Sequence, residues 1–288
     1  MDTLKQAVSA AVPRIQQPIS PFTVIICTQN TPEKMAQTQF ACQQWTQGLS
    51  DLGAPTQVIV QQGKSSLAEA YNQAISNVTT PYVVLSHNDA FPAAGFGRTV
   101  GKRLLEHMEG KKLDLAGFCG SSKYVGARWQ DAACYLYGQV LNAPPKPTPG
   151  QPFAAVRWQC PARVVTGIRC LDGYCLVART SALQANPFDH TLAPYHYYDV
   201  DRALDFHAKG LKTAVICDVS ILHQSAVGYS DPNWAKTCKP LLDKWAGKAD
   251  AVLTGVAVAP GSIQSGDPNL ILAESERLEG FMPESCIG

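Results

Sequence analysis

Polar residues able to do chemistry stand at the ends of apolar runs along this chain. Thr28, Gln29 and Asn30 close one run, Gln61 and Gln62 a second, and His87, Asn88 and Asp89 a third. His223 closes a later run in the same way, and an acidic pair, Asp199 and Asp201, opens a helical stretch. In an open α/β sheet, ligands bind just beyond the carboxyl ends of the strands. Convergence of the first three ends would make a nucleotide-sized pocket.

The elements that must position these residues are legible in the periodicity. Leu67, Ala70, Tyr71, Ala74 and Ile75 fall at helical spacing, and Ser66 with Glu69 has the capping-box spacing that starts a helix. Pro81 ends it, and Tyr82 to Leu85 is a continuous apolar run, as in a strand covered on both faces. Upstream, Thr23 to Cys27 reads as a first strand, Pro32 and Glu33 open a helix through about Leu49, and Gln57 to Val60 forms a second strand. This alternation predicts an α/β fold with a doubly wound, mostly parallel sheet flanked by helices. A helix is expected over 96–109 and a strand over 113–118. From 122 to 164 the pattern weakens into aromatic residues and prolines, which predicts an irregular insertion serving as a binding loop or lid. Order returns at Gly167 to Arg179, a strand pair with Asp172 and Gly173 at its turn. Val200, Ala203, Leu204 and His207 then share one face of a helix that Gly210 stops.

At 288 residues, 45% hydrophobic and 16% charged, the chain can bury a substantial core. The expected division is a leader over 1–20, one domain over 21–250 and an extension over 251–288. A net charge of +1 gives no basic field for nucleic acid, so small or neutral partners are expected. No stretch approaches the roughly 20 apolar residues of a membrane-spanning helix, and the proline-broken start is not a secretory signal. The ten cysteines are scattered without a C-x-x-C, as free thiols of a cytoplasmic protein would be.

Taken together, residues 22–246 resemble the GT-A glycosyltransferases of family 2, most closely the family-2-like branch named after a streptomycin-biosynthesis protein. The resemblance is carried by the order of five motifs. These are Asn72 in its Ala-Tyr-Asn helix, His87-Asn88-Asp89 as an H-x-D, and Asp172-Gly173, then Asp199-Val200-Asp201 ahead of Gly210, and His223. Lys244-Trp245 resembles the closing helix of that branch. Where the family carries an Asp after its second strand to hold the base, this chain has Gln61 and Gln62.

The resemblance implies a GT-A fold and transfer of a sugar from a nucleotide-diphosphate sugar to a glycan, lipid-linked or small-molecule acceptor. It implies Mn²⁺ or Mg²⁺, held by Asp89 and His223, and an inverting displacement with Asp199 as base. Thr28, Asn30, Gln61, Asn72, His87 and Asp89 would bind the donor. Asp172, Gly173, Tyr198 and Asp201 would face the acceptor, with 122–164 as its cover. Blander roles stand beside these: Asp89 capping a turn, Asp199 serving only as a helix cap, His223 as a core histidine. A non-catalytic nucleotide- or sugar-binding module and a sugar-phosphate nucleotidyltransferase are the rival functions. The second lacks a Gly-rich phosphate loop between Cys27 and Lys34.

Overall fold

The computed structural model describes residues 20–92, 100–142, 153–224, 237–251 and 261–265. The expected leader and most of the expected extension lie outside them. The chain starts as its periodicity predicts. Strand β1 (Phe22–Thr28) leads to helix α1 (Pro32–Gly48), where Thr31 accepts from the Lys34 amide at 3.3 Å and Pro32 sits in the first turn. Strand β2 (Gln57–Gln62) leads to helix α2 (Leu67–Ile75), capped by Ser66, which accepts from the Glu69 amide at 3.1 Å. Strand β3 (Tyr82–His87) completes the parallel trio, with Thr23 opposite both Gln57 and Val83.

Burial on both faces explains why β1 and β3 are mostly apolar, with Thr23 and Ser86 as buried polar exceptions. Phe22, Val24 and Ile26, with Tyr82 and Val84, enter one core, where Trp45 of α1 is fully buried. Ile25 and Cys27, with Val83 and Leu85, enter the other, against Tyr71 and Ala74 of α2. A strand buried on both faces has no polar register to offer.

The chain next gives β4 (Ala90–Pro92), α3 (Val100–Gly110), β5 (Leu115–Gly117) and β6 (Cys119–Ser121). Strands β7 (Leu136–Asn142), β8 (Phe153–Arg157), β9 (Val164–Thr166), β10 (Cys170–Leu171) and β11 (Cys175–Arg179) follow. Helices α4 (Thr180–Ala185) and α5 (Tyr198–Ala208), strands β12 (Thr213–Ile216) and β13 (Ile221–His223), helix α6 (Lys239–Lys244) and β14 (Gly261–Ser265) complete it. The main sheet runs β2-β1-β3-β11-β5-β12-β9. It is mixed: β11 is antiparallel to both β3 and β5, and β9 is antiparallel to β12. The expected mostly parallel sheet is therefore confined to β2-β1-β3 and the β5–β12 pair.

A second sheet runs β10-β6-β7-β13-β4, with His223 at the end of β13. Of the described parts of 122–164, β7 and β8 belong to it, so the expected irregular insertion is in part strand structure, beside a 3-10 turn at Trp129–Tyr135. Val140, Leu141 and their neighbours in β7 supply the buried residues that the prolines further on obscure. His207, expected on the buried face of α5, is exposed. Among the described residues nine cysteines are free, and no helix is long and apolar enough to cross a membrane.

Candidate active site

The site begins at the end of β3. Trp45 donates from its indole to the Ala90 carbonyl at 3.0 Å and to Ser86 Oγ at 3.1 Å, and the Ser86 hydroxyl donates to Ala90 O at 2.6 Å. These bonds pin the turn carrying His87, Asn88 and Asp89 to the core. Asn88 turns aside to donate to Gln37 of α1 at 2.9 Å. Strand β4 then pairs with β13 so that His223 lies opposite Ala90, the residue after Asp89.

This register brings together residues from opposite halves of the chain. His223 Nε2 is 3.6 Å from Asp89 Oδ1, and ligand atoms of His87, Asp89 and His223 all lie within 4.8 Å of one another. The Tyr174 ring stacks on His223, with centroids 5.0 Å apart and planes 20° apart. Burial pushes the His87 pKa down to about 4. Asp89 opposes that shift, while His223 and Lys34 add to it. A neutral imidazole keeps a lone pair for a cation. Two imidazoles and a carboxylate suit Mn²⁺ better than Mg²⁺, which prefers oxygen alone.

A cavity of about 240 Å³ adjoins the cluster at the ends of β1, β2 and β3. Thr28, Gln61, His87 and Asp89, four of the six residues expected to bind a donor, line it. Lys34, Lys64 and the exposed Tyr195 also line it, and the two lysines were not anticipated. Lys34 lies in the first turn of α1, after a strand end, a position from which its charge can reach a phosphate. Tyr195 is brought there by the Pro194 carbonyl, which accepts from the Leu67 amide at 2.8 Å. Asn30 is exposed and does not line the cavity.

Asn72 does not reach the cavity either. Its amide closes a two-way clamp on Phe188, donating to the carbonyl and accepting from the amide, each at 2.8 Å. With both ends of the side chain engaged, the expected donor contact is replaced by a structural one.

On the other side of the cluster, Asp172 and Gly173 turn the chain between β10 and β11. A Cβ on Gly173 would sit 2.8 Å from Asp199 Oδ2, so the turn and the start of α5 touch. Asp199 Oδ1 accepts from the Val200 amide at 2.8 Å. Its pKa is pushed up to about 7, first by burial and then by the Asp172 carboxylate, against the pull of nearby backbone amides. The Asp172 carboxyl is itself raised, mainly by burial. Tyr198, expected at the acceptor, is buried instead. Its hydroxyl donates to the Gly173 carbonyl and lies 2.8 Å from His87 Nε2.

Asp201 is also corrected. It is fully buried, accepting from Trp245 Nε1 at 2.8 Å and Lys244 Nζ at 2.9 Å, and so faces α6 instead of an acceptor. Lys244 also holds Asp189 at 2.7 Å. Lys244→Met is expected to destabilise the fold by about 1 kcal/mol in urea unfolding, because the lysine end of the pair is solvent-exposed and Trp245 still bonds the buried carboxylate.

Residues 23–244 match the model of a family described as "Glycosyltransferase like family". No curated protein matches the chain in sequence. Among solved structures, residues 1–349 of S. aureus TarS are similar at 13% identity and TM-score 0.44, over 80% of this chain and 66% of that one. This chain thus spans just under two thirds of that fragment. The mannosyltransferase PcManGT from Pyrobaculum calidifontis, solved with GDP-Man and Mn²⁺, is similar at 12% identity and TM-score 0.45, over 82% of this chain and 68% of that one.

Proposed function

The chain belongs to the glycosyltransferase-like family, and from that premise we propose that it moves a sugar from a nucleotide-diphosphate donor to an acceptor hydroxyl with a divalent cation. The observation that carries this reading is the convergence of His87, Asp89 and His223 beside the cavity at the ends of β1 to β3. These three would hold the cation. When bound, the cation would neutralise negative charge on the departing nucleotide diphosphate.

The chain's own residues supply the rest. Lys34 and Lys64 place positive charge along the cavity that would take the diphosphate and nucleoside. Asp199, across the Gly173 turn, takes the proton of the acceptor hydroxyl as that oxygen attacks the anomeric carbon and the sugar–phosphate bond breaks. This is a single displacement and inverts the anomeric centre. The described strands of 122–164 and the Asp172 turn form the acceptor side.

The test is a panel of nucleotide sugars with Mn²⁺, reading release of nucleoside diphosphate with and without candidate acceptors. Cation-dependent turnover is expected. Donor binding without any turnover would leave a non-catalytic binding module, the reading that this one displaces.

The pH profile follows from Asp199. Below about 7 its carboxyl is protonated and cannot take a proton, so the rate should rise about tenfold per pH unit on the acid side and level above about 7. Stability moves in the opposite sense. Charging a carboxyl whose pKa is raised on folding weakens the fold as pH climbs from 3.8 to about 7. A rate profile flat between pH 5 and pH 8 would remove Asp199 from the role, these limits being about the span over which such a base must titrate.

A further inference from the structure

We infer that Tyr198 is a positioning residue for the cation site, its hydroxyl fixing His87 in the tautomer that leaves Nδ1 bare to bind the cation. This rests on the cation reading above and adds which ring nitrogen binds and what selects it. The argument is one of proton counting. The Tyr198 hydroxyl donates its single hydrogen to the Gly173 carbonyl at 2.8 Å, and a carbonyl has none to give back. The same oxygen lies 2.8 Å from His87 Nε2. It can therefore only accept there, so Nε2 carries the ring hydrogen and the lone pair falls to Nδ1.

The phenol has little freedom to do otherwise. Tyr198 is 4% exposed, and its ring packs against Tyr71 and Phe188 with centroids 5.8 Å from each. Tyr197, just before it, is in the left-handed region at φ 66°, a conformation that non-glycine residues adopt only under constraint from their surroundings. Gly173 completes the arrangement, because a side chain there would collide with the Tyr198 hydroxyl. Histidines that bind metals commonly donate their second ring N–H to such a partner, and removing it weakens metal binding about 10- to 100-fold. The series Gly173–Tyr198–His87 also ties the cation to the turn that touches Asp199.

The test is Mn²⁺ titration of the purified chain by electron paramagnetic resonance, without donor or acceptor, together with ¹⁵N NMR of the His87 ring in the metal-free protein. Tyr198→Phe should weaken Mn²⁺ binding about 10- to 100-fold while its circular dichroism stays that of the wild type. Wild-type His87 should be protonated at Nε2, and the variant should show a mixture of tautomers. Unchanged Mn²⁺ affinity in a folded Tyr198→Phe, or a wild-type His87 protonated at Nδ1, overturns the inference alone. Should the variant fail to fold, the wild-type ring spectrum decides. A wild type that binds no Mn²⁺ overturns the cation reading and this inference together.

Discussion

Asp199→Asn is expected to lose sugar transfer by a factor of about 100 or more while keeping its fold and its affinity for the donor. The amide preserves size and can still accept from the Val200 amide, so the start of α5 keeps its local bond. It cannot take a proton. It also loses the repulsion with Asp172 that helps raise the native carboxyl, so the variant should be no less stable than the wild type near pH 7. Turnover with saturating donor, donor affinity by calorimetry and urea unfolding together decide the matter. Normal turnover ends the assignment of the base, and a matching fall in stability would make the loss structural.

Asp89→Asn should be as severe for a different reason. The carboxylate is 8% exposed, beside His223, and it is the one anionic ligand of the cluster. Replacing it leaves two neutral nitrogens and an amide for a doubly charged ion. If the cation contributes about 4 kcal/mol to the transition state, the loss is about a thousandfold. A chelator should do the same to the wild type, and added Mn²⁺ should restore the wild type but not the variant. Wild-type activity indifferent to chelation would remove the metal from the mechanism.

Much of this arrangement was legible before any coordinates. Apolar runs two-faced in their burial mark β1 and β3 without ambiguity, and the Ser66 cap is written in the sequence. His87, Asp89 and His223 are visible as polar ends of such runs. Strand direction is not legible: β11 has the same composition as a parallel strand, yet runs against both neighbours. Nor can spacing say what covers a side chain. Asp199 and Asp201 stand together at the start of one helical stretch, and only the docking of Lys244 and Trp245 reveals that Asp201 is an internal anchor. Asn72 misleads for the same reason, its partner Phe188 being remote in sequence. Strands β7 and β8 hide because prolines and aromatic residues surround them in the sequence, and what defines them is pairing with each other and, for β7, with β13.

The union of β4 with β13 bears on how the protein matures. His87 and Asp89 belong to the part of the chain synthesised first, whereas Tyr198 and His223 emerge late, and contacts so far apart in sequence form slowly. A partly folded chain lacks the complete ligand set and gains nothing from the ion. On the proposed function, cation binding would favour only the finished fold, by about 2.7 kcal/mol when the ion is at 100 times its dissociation constant. Scarcity of the ion would then lower the amount of protein as well as its rate, because more chains would linger in forms open to proteolysis.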